Sequence, residues 1–366
     1  RTPYTLGGQN AAVVWRLSSA PPRLGGTLPG RESGYRRARL AWYTIDQTYY
    51  TGGLNRPSNI GSGDPSLKNH YTRGIKRTEI FPQRELGAAG NSFEYSLDLA
   101  YFPDERGQYN LTPDVSAADP RRFARTGPAD NAARFGGIAR EITFDTDFDN
   151  ANVEFLEFWM MDPFLQGERG RVVDQEGPDE NNSTGGELVL NLGSVSEDAL
   201  KDGNQHEFEQ GLPITDDLAD TRPTVWGRVT TQPFLTDAFN AAPGARARQD
   251  IGLDGLGDTE EQQFFGAVYG QDPALDNFRH HLDASYDQQD AKILARYKNF
   301  NGLQGNSPEG SQLSSTAFPD KEDLNRDNVI SDTERYYEYR ITLRPGQLEV
   351  GQNYIVDKIT NKNDDT

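Results

Sequence analysis

Short apolar stretches separated by long polar loops are the main pattern along this chain. Between residues 36 and 232 these stretches are rich in aromatic and β-branched residues, which is typical of β-strands. Glycine and proline between them indicate turns. The predicted strands are residues 39–45, 78–81, 92–102, 137–144, 153–161 and 187–192. Six or seven strands joined by long loops predict a mainly β fold, a jelly-roll-like β-sandwich.

Residues 153–161, with the sequence VEFLEFWMM, have the most apolar strand pattern. Apolar and acidic residues alternate at first, and both faces become apolar by Trp159. A strand that is apolar on both faces is usually buried on both. We therefore expect this segment to be a central strand of the sandwich.

Beyond residue 232 the spacing of the apolar residues changes. Residues 259–268 and 290–300 carry apolar side chains at i, i+3 and i+4, which is typical of helices. Alternating apolar residues between 337 and 343 then predict a last strand. The C-terminal part is therefore expected to be loop-rich and partly helical.

These changes divide the chain into four predicted segments. Residues 1–35 form an N-terminal strand, at 11–18, and a linker. Residues 36–232 form the β-sandwich domain, and residues 233–335 form a connector of loops and helices that carries calcium-type loops. Residues 336–366 form a strand and a polar tail, which either complete the sandwich or begin the next module.

Charge and cysteine content narrow the classes of function. The formal net charge of −19 disfavours binding to nucleic acids and anionic lipids and suits divalent cations. The absence of cysteine excludes disulfides, cysteine nucleophiles and thiolate metal sites. No apolar run approaches membrane-spanning length. Because the chain begins at Arg1 without methionine, we expect a processed or excised segment of a longer protein.

Residues 323–334, D-L-N-R-D-N-V-I-S-D-T-E, have the ligand spacing of an EF-hand calcium loop. Asn328 stands at position 6, where a residue tolerant of positive φ is needed. A strand pattern follows in place of the exiting helix, so we expect a structural Ca²⁺ ion rather than a sensing one. The alternative is an exposed acidic turn. The predicted ligands are Asp323, Asn325, Asp327, Val329, Ser331 and Glu334.

Residues 250–261, D-I-G-L-D-G-L-G-D-T-E-E, match the same pattern less completely. Gly252 at position 3 offers no side-chain ligand. The alternative is a helix capped by Asp258, with Glu260 and Glu261 in its first turn. The candidate ligands are Asp250, Asp254, Asp258 and Glu261.

No catalytic constellation stands out, and we predict that the protein is not an enzyme and has no catalytic residues. The chain contains no G-x-S-x-G motif and no phosphate-binding glycine loop. A calcium-stabilised carbohydrate-binding module is the alternative, because aromatic side chains can stack on sugars. The candidate aromatics are Trp42, Tyr43, Phe158, Trp159 and Trp226, although aromatic residues at strand positions more often belong to the core.

Several segments, spread over nearly the whole chain, together carry a resemblance to a known family. The longest are T-D-F-D-N-A-N-V-E-F-L-E-F-W-M-M-D-P-F at 146–164, L-D-L-A-Y-F-P-D-E-R-G-Q-Y-N at 97–110 and G-E-L-V-L-N-L-G-S-V-S-E-D at 186–198. Shorter ones are R-A-R-L-A-W-Y-T-I-D at 37–46, F-G-G-I-A-R at 135–140, Q-D-I-G-L-D-G-L at 249–256 and P-D-K-E-D-L-N-R-D-N at 319–328. Together these segments resemble the SprA/Sov family. Gln108 departs from the family pattern, where proline is expected.

The resemblance implies a place in the giant outer-membrane translocon of the type IX secretion system. This chain would be a soluble segment of it, on the extracellular side as a cap rather than in the periplasm, with a structural role in protein export and gliding motility. Its partners would be the rest of the translocon, accessory proteins and secreted cargo proteins. The family brings no catalytic residues.

Overall fold

The structure is a computed structural model that describes residues 12–52, 56–84, 87, 92–142, 146–206, 218–231, 239–300 and 320–360. Residue 11 of the first predicted strand, residues 143–144 of another and the tail after residue 360 lie outside the described residues. The strands are β1 (Arg16–Leu17), β2 (Ala38–Tyr43), β3 (Asp98–Arg106), β4 (Ile138–Ala139), β5 (Arg171–Val172), β6 (Glu180–Asn181), β7 (Gly186–Ser194), β8 (Thr221–Pro223), β9 (Arg228–Thr230) and β10 (Arg335–Leu343).

Helices are short and lie mainly in the second half of the described chain. The α-helices are α1 (Thr48–Thr51), α2 (Arg77–Ile80), α3 (Pro128–Ala132), α4 (Arg246–Gln249), α5 (Asp258–Phe265), α6 (Ala284–Gln288) and α7 (Ile293–Tyr297). Helices α5 and α7 confirm the helical patterns predicted at 259–268 and 290–300. The 3-10 turns are Ala12–Val14, Pro22–Leu24, Gly30–Gly34, Pro65–Leu67, Glu168–Gly170 and Ala267–Tyr269.

The predicted mainly β fold, a jelly-roll-like β-sandwich, is wrong. The described strands form five separate two-stranded antiparallel sheets, β1–β4, β2–β3, β5–β6, β8–β9 and β7–β10. Residues 78–81 lie largely in helix α2 rather than in a strand. Because each sheet stops at two strands, no two of these sheets can form the broad opposed layers of a sandwich.

The segment expected to be the central strand is not a strand. Residues 153–161 form no ladder with any described part of the chain. Their side chains are mostly exposed, and Phe155 is 76% exposed. Two apolar faces indicate burial only where a partner covers them, and nothing within the described residues does so.

The core lies on both sides of strand β2. Side chains alternate across a strand, so Trp42 points into one cluster while Ala41 and Tyr43 point into the other. The first cluster consists of Ala12, Leu17, Trp42, Tyr109, Leu111, Leu200, Trp226, Leu253 and Ala274. The second consists of Ala41, Tyr43, Ile45, Tyr49, Ile60, Ile293, Leu294 and Tyr297. Loops and short helices, together with the two-stranded sheet β1–β4 on the side of the first cluster, therefore cover the two faces of β2.

A buried arginine links the long loops around the first cluster. Arg106 is 1% exposed and donates to the main-chain carbonyls of Asn110, Pro120, Tyr269 and Pro273. A guanidinium has five N–H donors in a fixed plane, so it satisfies several loop carbonyls that have no strand partner. This contact fixes the segment after α5, which carries part of the site described below.

The longest ladder joins distant parts of the sequence. Strand β7 pairs with β10 over nine residues, from Gly186 opposite Leu343 to Ser194 opposite Arg335. The strand predicted from the alternating residues 337–343 is confirmed as part of β10. Residues of the segments predicted as 36–232 and 336–366 thus share one sheet.

Candidate metal centre

Carboxylates from three neighbouring stretches of chain meet beside helix α5. Two triplets share Glu261, and within each triplet one oxygen per residue lies within 4.8 Å of the others. The triplets are Asp254, Glu261 and Asp276, and Asp258, Glu261 and Asp272. We call these five residues the acidic cluster. Asp254, Glu261 and Asp276 are each 0% exposed, so the first triplet is closed to bulk water.

The loop before α5 turns at two glycines. Gly252 has φ 86° and Gly255 has φ 71°, in the left-handed region that favours glycine. A Cβ at Gly252 would collide with the carboxylate of Asp276 and lie 3.0 Å from the hydroxyl of Tyr109. Glycine at the third position of the predicted calcium loop therefore makes room for a carboxylate that comes from another segment.

Tyr109 holds both loops of the cluster against the first core cluster. Its hydroxyl accepts a hydrogen bond from the Leu253 amide at 2.8 Å and donates one to Asp276. Its own amide donates to the carbonyl of Ala274 at 2.7 Å. The carboxylates thus stand on a packed support rather than on free loops.

The protein uses one oxygen of each central carboxylate and leaves the other without a donor. Asp254 Oδ1 accepts from the Leu256 amide at 3.0 Å, and Glu261 Oε2 accepts from the Ala274 amide at 2.8 Å. Asp254 Oδ2 and Glu261 Oε1 are buried and accept no hydrogen bond in the described part of the chain. Neither side chain forms an ion pair with a described lysine or arginine. Burying a carboxylate oxygen in this way is costly unless the group is protonated or binds a cation.

Burial and mutual repulsion favour protonation of these groups. Burial, followed by the charges of Asp254 and Asp272, raises the pKa of Glu261 to about 10. Burial and the charge of Asp276 raise the pKa of Asp254 well above its ordinary value. Burial and the charge of Glu261 do the same to the pKa of Asp276. At neutral pH the cluster therefore takes up either protons or a cation.

The donor set fits a hard divalent cation. It consists of carboxylate oxygens, which Ca²⁺ and Mg²⁺ prefer, and lacks the imidazole and thiolate ligands typical of zinc. Two oxygens on opposite sides of a Ca²⁺ ion lie about 4.8 Å apart, twice a bond of about 2.4 Å. Mg²⁺ has shorter bonds and gives up its water reluctantly, so a closed site favours Ca²⁺.

Asp250 lies apart from this arrangement. It is bound by Arg246, one helical turn earlier, with a nitrogen–oxygen distance of 2.7 Å. Among the four residues predicted for the second calcium loop, the structure brings Asp254 and Asp258 each close to Glu261, in separate triplets. Helix α5 begins at Asp258, and Gly257 is the residue before it, so Asp258 is not the N-cap.

Asp272 and Asp276 were missed by sequence reasoning. They lie in the loop after the 3-10 turn Ala267–Tyr269, beyond any twelve-residue calcium-loop window that starts at Asp250. The available signal was their spacing, Q-D-P-A-L-D, close behind an acidic helix. Such spacing is common in loops, so only the fold shows that they face Glu261.

In the predicted EF-hand-like loop at 323–334, side chains accept hydrogen bonds from main-chain amides of the same loop and so fix its turns. Asp323, 2% exposed, accepts from the amides of Arg326 at 2.7 Å and Asn328 at 2.9 Å. Asn328 has φ 63°, the conformation expected at position 6. Asn325 accepts from the Asp327 amide and Asp327 from the Val329 amide.

The remaining predicted ligands of that loop have other contacts. Ser331 donates its amide to Glu197, and Glu334 accepts from the hydroxyl of Ser19. Within the described residues, the carboxylates of Asp323, Asp327 and Glu334 do not form a group whose oxygens all lie within 4.8 Å. Calcium binding by this loop stays a prediction.

The aromatic residues considered for sugar stacking have two different environments. Trp42, Tyr43 and Trp226 are buried in the core. Phe158 and Trp159 are 49% and 48% exposed, next to each other on the segment 153–161. Only these last two present rings to solvent.

Comparison with known proteins identifies the broad class. Residues 259–365 match the SprA_N family model, described as a motility related/secretion protein. No curated protein shows significant similarity to the chain. None of the described helices has the length and apolar character needed to cross a membrane. The chain is thus a motility- or secretion-related protein, which fits a location in the cell envelope.

The match also confirms, for residues 259–365, the resemblance found in the sequence. It supports membership of the chain in the SprA/Sov family. The matched residues include Glu261, Asp272 and Asp276 and the whole loop at 323–334.

Proposed function

We propose that this chain is a structural, non-catalytic segment of an outer-membrane translocon of the type IX secretion system. The family match at residues 259–365 carries this proposal. The acidic residues of the matched part are buried among loops that they could hold rigid. A rigid extracellular cap over a protein-conducting channel is the role that suits such a segment. Its partners are the remainder of the translocon, accessory proteins and passing cargo.

Deletion tests the secretion role. Removing residues 12–360 from the parent gene in the source bacterium should abolish secretion of cargo into the medium and spreading on agar. Mass spectrometry of the medium and an immunoblot for the truncated parent measure this. Unchanged secretion with a stably produced truncated parent would contradict the proposal.

Single-cysteine labelling tests the extracellular position. The chain has no cysteine, and Val356 is 85% exposed, so Val356→Cys supplies one accessible thiol. A maleimide on a large polymer, which does not cross the outer membrane, should label this variant in intact cells. Labelling only after the outer membrane is opened would place the segment in the periplasm.

The proposal includes a structural Ca²⁺ ion at residues 323–334. Two features support it: Asp323 is buried at the first position, and Asn328 has positive φ at the sixth. Calorimetric titration should show that Glu334→Gln binds one Ca²⁺ fewer than the wild-type chain. An equal number of bound ions in both proteins would exclude this loop.

A calcium-stabilised carbohydrate-binding module is the second candidate function. The neighbouring exposed rings of Phe158 and Trp159 are the observation that favours it. A glycan array should then show binding that Trp159→Ala removes and Trp42→Phe, a change in the buried core, retains. Absence of binding to any glycan would leave the structural role alone.

A further inference from the structure

We propose that the acidic cluster is a calcium site of its own, built from Asp254, Glu261 and Asp276 with Asp258 and Asp272 beside them. It is not an EF-hand loop, because two of its carboxylates come from the segment after α5. It is also independent of the role in secretion. Its ligand class is a hard divalent cation held by carboxylate oxygens.

The first argument is the pair of buried oxygens that the described protein leaves without a donor. Asp254 Oδ2 and Glu261 Oε1 belong to residues that are 0% exposed, and both residues contribute to the same triplet. The opposite oxygen of each carboxylate is fixed by a main-chain amide. The amides thus orient each group and leave one oxygen available for an ion.

The second argument is the construction around the triplet. Gly252 leaves space for the Asp276 carboxylate that any larger residue would fill. The Tyr109 hydroxyl, which is buried, donates to Asp276 and so orients it. Hydrogen bonds from outer groups to metal ligands are typical of built metal sites.

The third argument is charge. Five carboxylates carry up to five negative charges, and Asp254 and Glu261 have no ion-pair partner among the described residues. A Ca²⁺ ion would offset two of these charges at the point where the triplets share Glu261. Loops on both sides of α5 would then be held together through one ion.

Binding is best measured in the Glu334→Gln background, so that the loop at 323–334 does not contribute. Isothermal titration of this full-length variant with Ca²⁺ should show one equivalent. Adding Glu261→Gln should weaken binding at least about a hundredfold, because affinity depends on the charge of the ligand set. Asp254→Asn gives an independent variant with the same expectation.

Glu260→Gln is the matched control. Glu260 is on the same helix but points outward and pairs with Arg228, so this variant should keep the ion. Tb³⁺ provides a second readout, because Tyr109, bonded to Asp276, should sensitise its emission. Circular dichroism confirms that each variant is folded.

The outcomes separate two descriptions of the cluster. Loss of one equivalent in Glu261→Gln and its retention in Glu260→Gln support the site. No bound Ca²⁺ in the Glu334→Gln protein, or full binding by folded Glu261→Gln and Asp254→Asn, would overturn it. The carboxyls would then be a protonated network.

Discussion

Two groups of carboxylates in this molecule, each with at least one buried member, differ in what balances their charge. One is the acidic cluster. The other, which we call the lysine cluster, consists of Glu105, Asp174, Glu176 and Lys298. Its ammonium nitrogen lies 2.8 Å from Glu105, 2.9 Å from Asp174 and 2.7 Å from Glu176. In the acidic cluster no described lysine or arginine pairs with Asp254 or Glu261. The carboxylates of both groups are close enough for a metal, yet among the described residues a lysine balances those of the lysine cluster and none balances Asp254 or Glu261.

The local environment shifts the carboxylate pKa values of the two clusters in opposite directions. Burial favours the neutral acids of the lysine cluster, but hydrogen bonds and charge from Lys298 lower the pKa of Asp174 and of Glu176 below their ordinary values. Burial and like charges raise the pKa of Glu261 to about 10. The comparison teaches that closeness of carboxylates alone does not define a metal site; an unmet charge does.

Removing Lys298 should have the largest effect. Lys298→Met leaves three carboxylates without their buried partner, and breaking such a pair costs about 3–5 kcal/mol. Urea unfolding measures the loss. Lys292→Met is the control, because Lys292 is more exposed and its ion pairs should contribute only about 1 kcal/mol. Equal losses in both variants would remove the distinction between the clusters.

Gly252→Ala should disrupt the acidic cluster without changing its charge. The methyl group requires a left-handed conformation and collides with the Asp276 carboxylate, so we expect a loss of about 2–3 kcal/mol. Gly257→Ala is the control in the same loop, since Gly257 has φ −82° and its Cβ would have Ile251 at 3.9 Å. A neutral Gly252→Ala would show that Asp276 is free to move away.

The effect of Glu261→Gln on stability should change sign when calcium is added. In chelator the wild-type chain must take up a proton at Glu261 to fold, whereas glutamine needs none, so the variant should be more stable by about 1–2 kcal/mol. In excess Ca²⁺ the wild-type chain should be the more stable, because only it keeps the full ligand set. Melting curves in both conditions measure this crossover, and Glu260→Gln should show none. A variant that is more stable in both conditions would contradict calcium binding.

The local helical patterns were predictable, but the sheet partners were not. Residues 259–268 and 290–300 were recognised as helices because their apolar spacing is a local property. Residues 153–161 were misread because alternation does not reveal whether a partner strand is present. Strand β2 was found, but its two faces are covered by loops, short helices and the small sheet β1–β4 rather than by the broad sheet of a sandwich.

The candidate site was predictable only in part, for the same reason. Asp254, Asp258 and Glu261 lie within one twelve-residue window and were found by their spacing. Asp272 and Asp276 join them through the turn after α5 and through Tyr109, contacts that depend on the tertiary fold. The calcium-loop pattern identifies Gly252 only as a position without a ligand, whereas its role is to make room for the Asp276 carboxylate.

The pH dependence should give the smallest effect and the finest comparison. Glu261 has an ordinary pKa of 4.5 and a folded-state pKa of about 10, so between these values the folded chain keeps a proton that the unfolded chain loses. In chelator, stability should therefore fall as pH rises from 6 to 8, with a slope on the order of 1 kcal/mol per pH unit. The lysine cluster contributes a pH dependence of the opposite sign. Because its carboxylate pKa values are lowered, its contribution to stability is lost only as pH falls into the acid range.

Subtracting the pH slope of the stability of Glu261→Gln from that of the wild-type chain isolates the titration of Glu261 from that of other groups. The other titratable groups around Glu261 include Asp254, Asp272, Asp276 and Tyr109. His206 also titrates nearby. Burial lowers the pKa of His206, but the charges of Glu322 and Asp202 outweigh burial and raise it. Excess Ca²⁺ should flatten the wild-type slope, since the ion replaces the proton and binds better as pH rises. Urea unfolding at pH 6, 7 and 8 measures both slopes. Identical slopes with chelator and with Ca²⁺ would mean that protons alone balance the acidic cluster, as Lys298 balances the other.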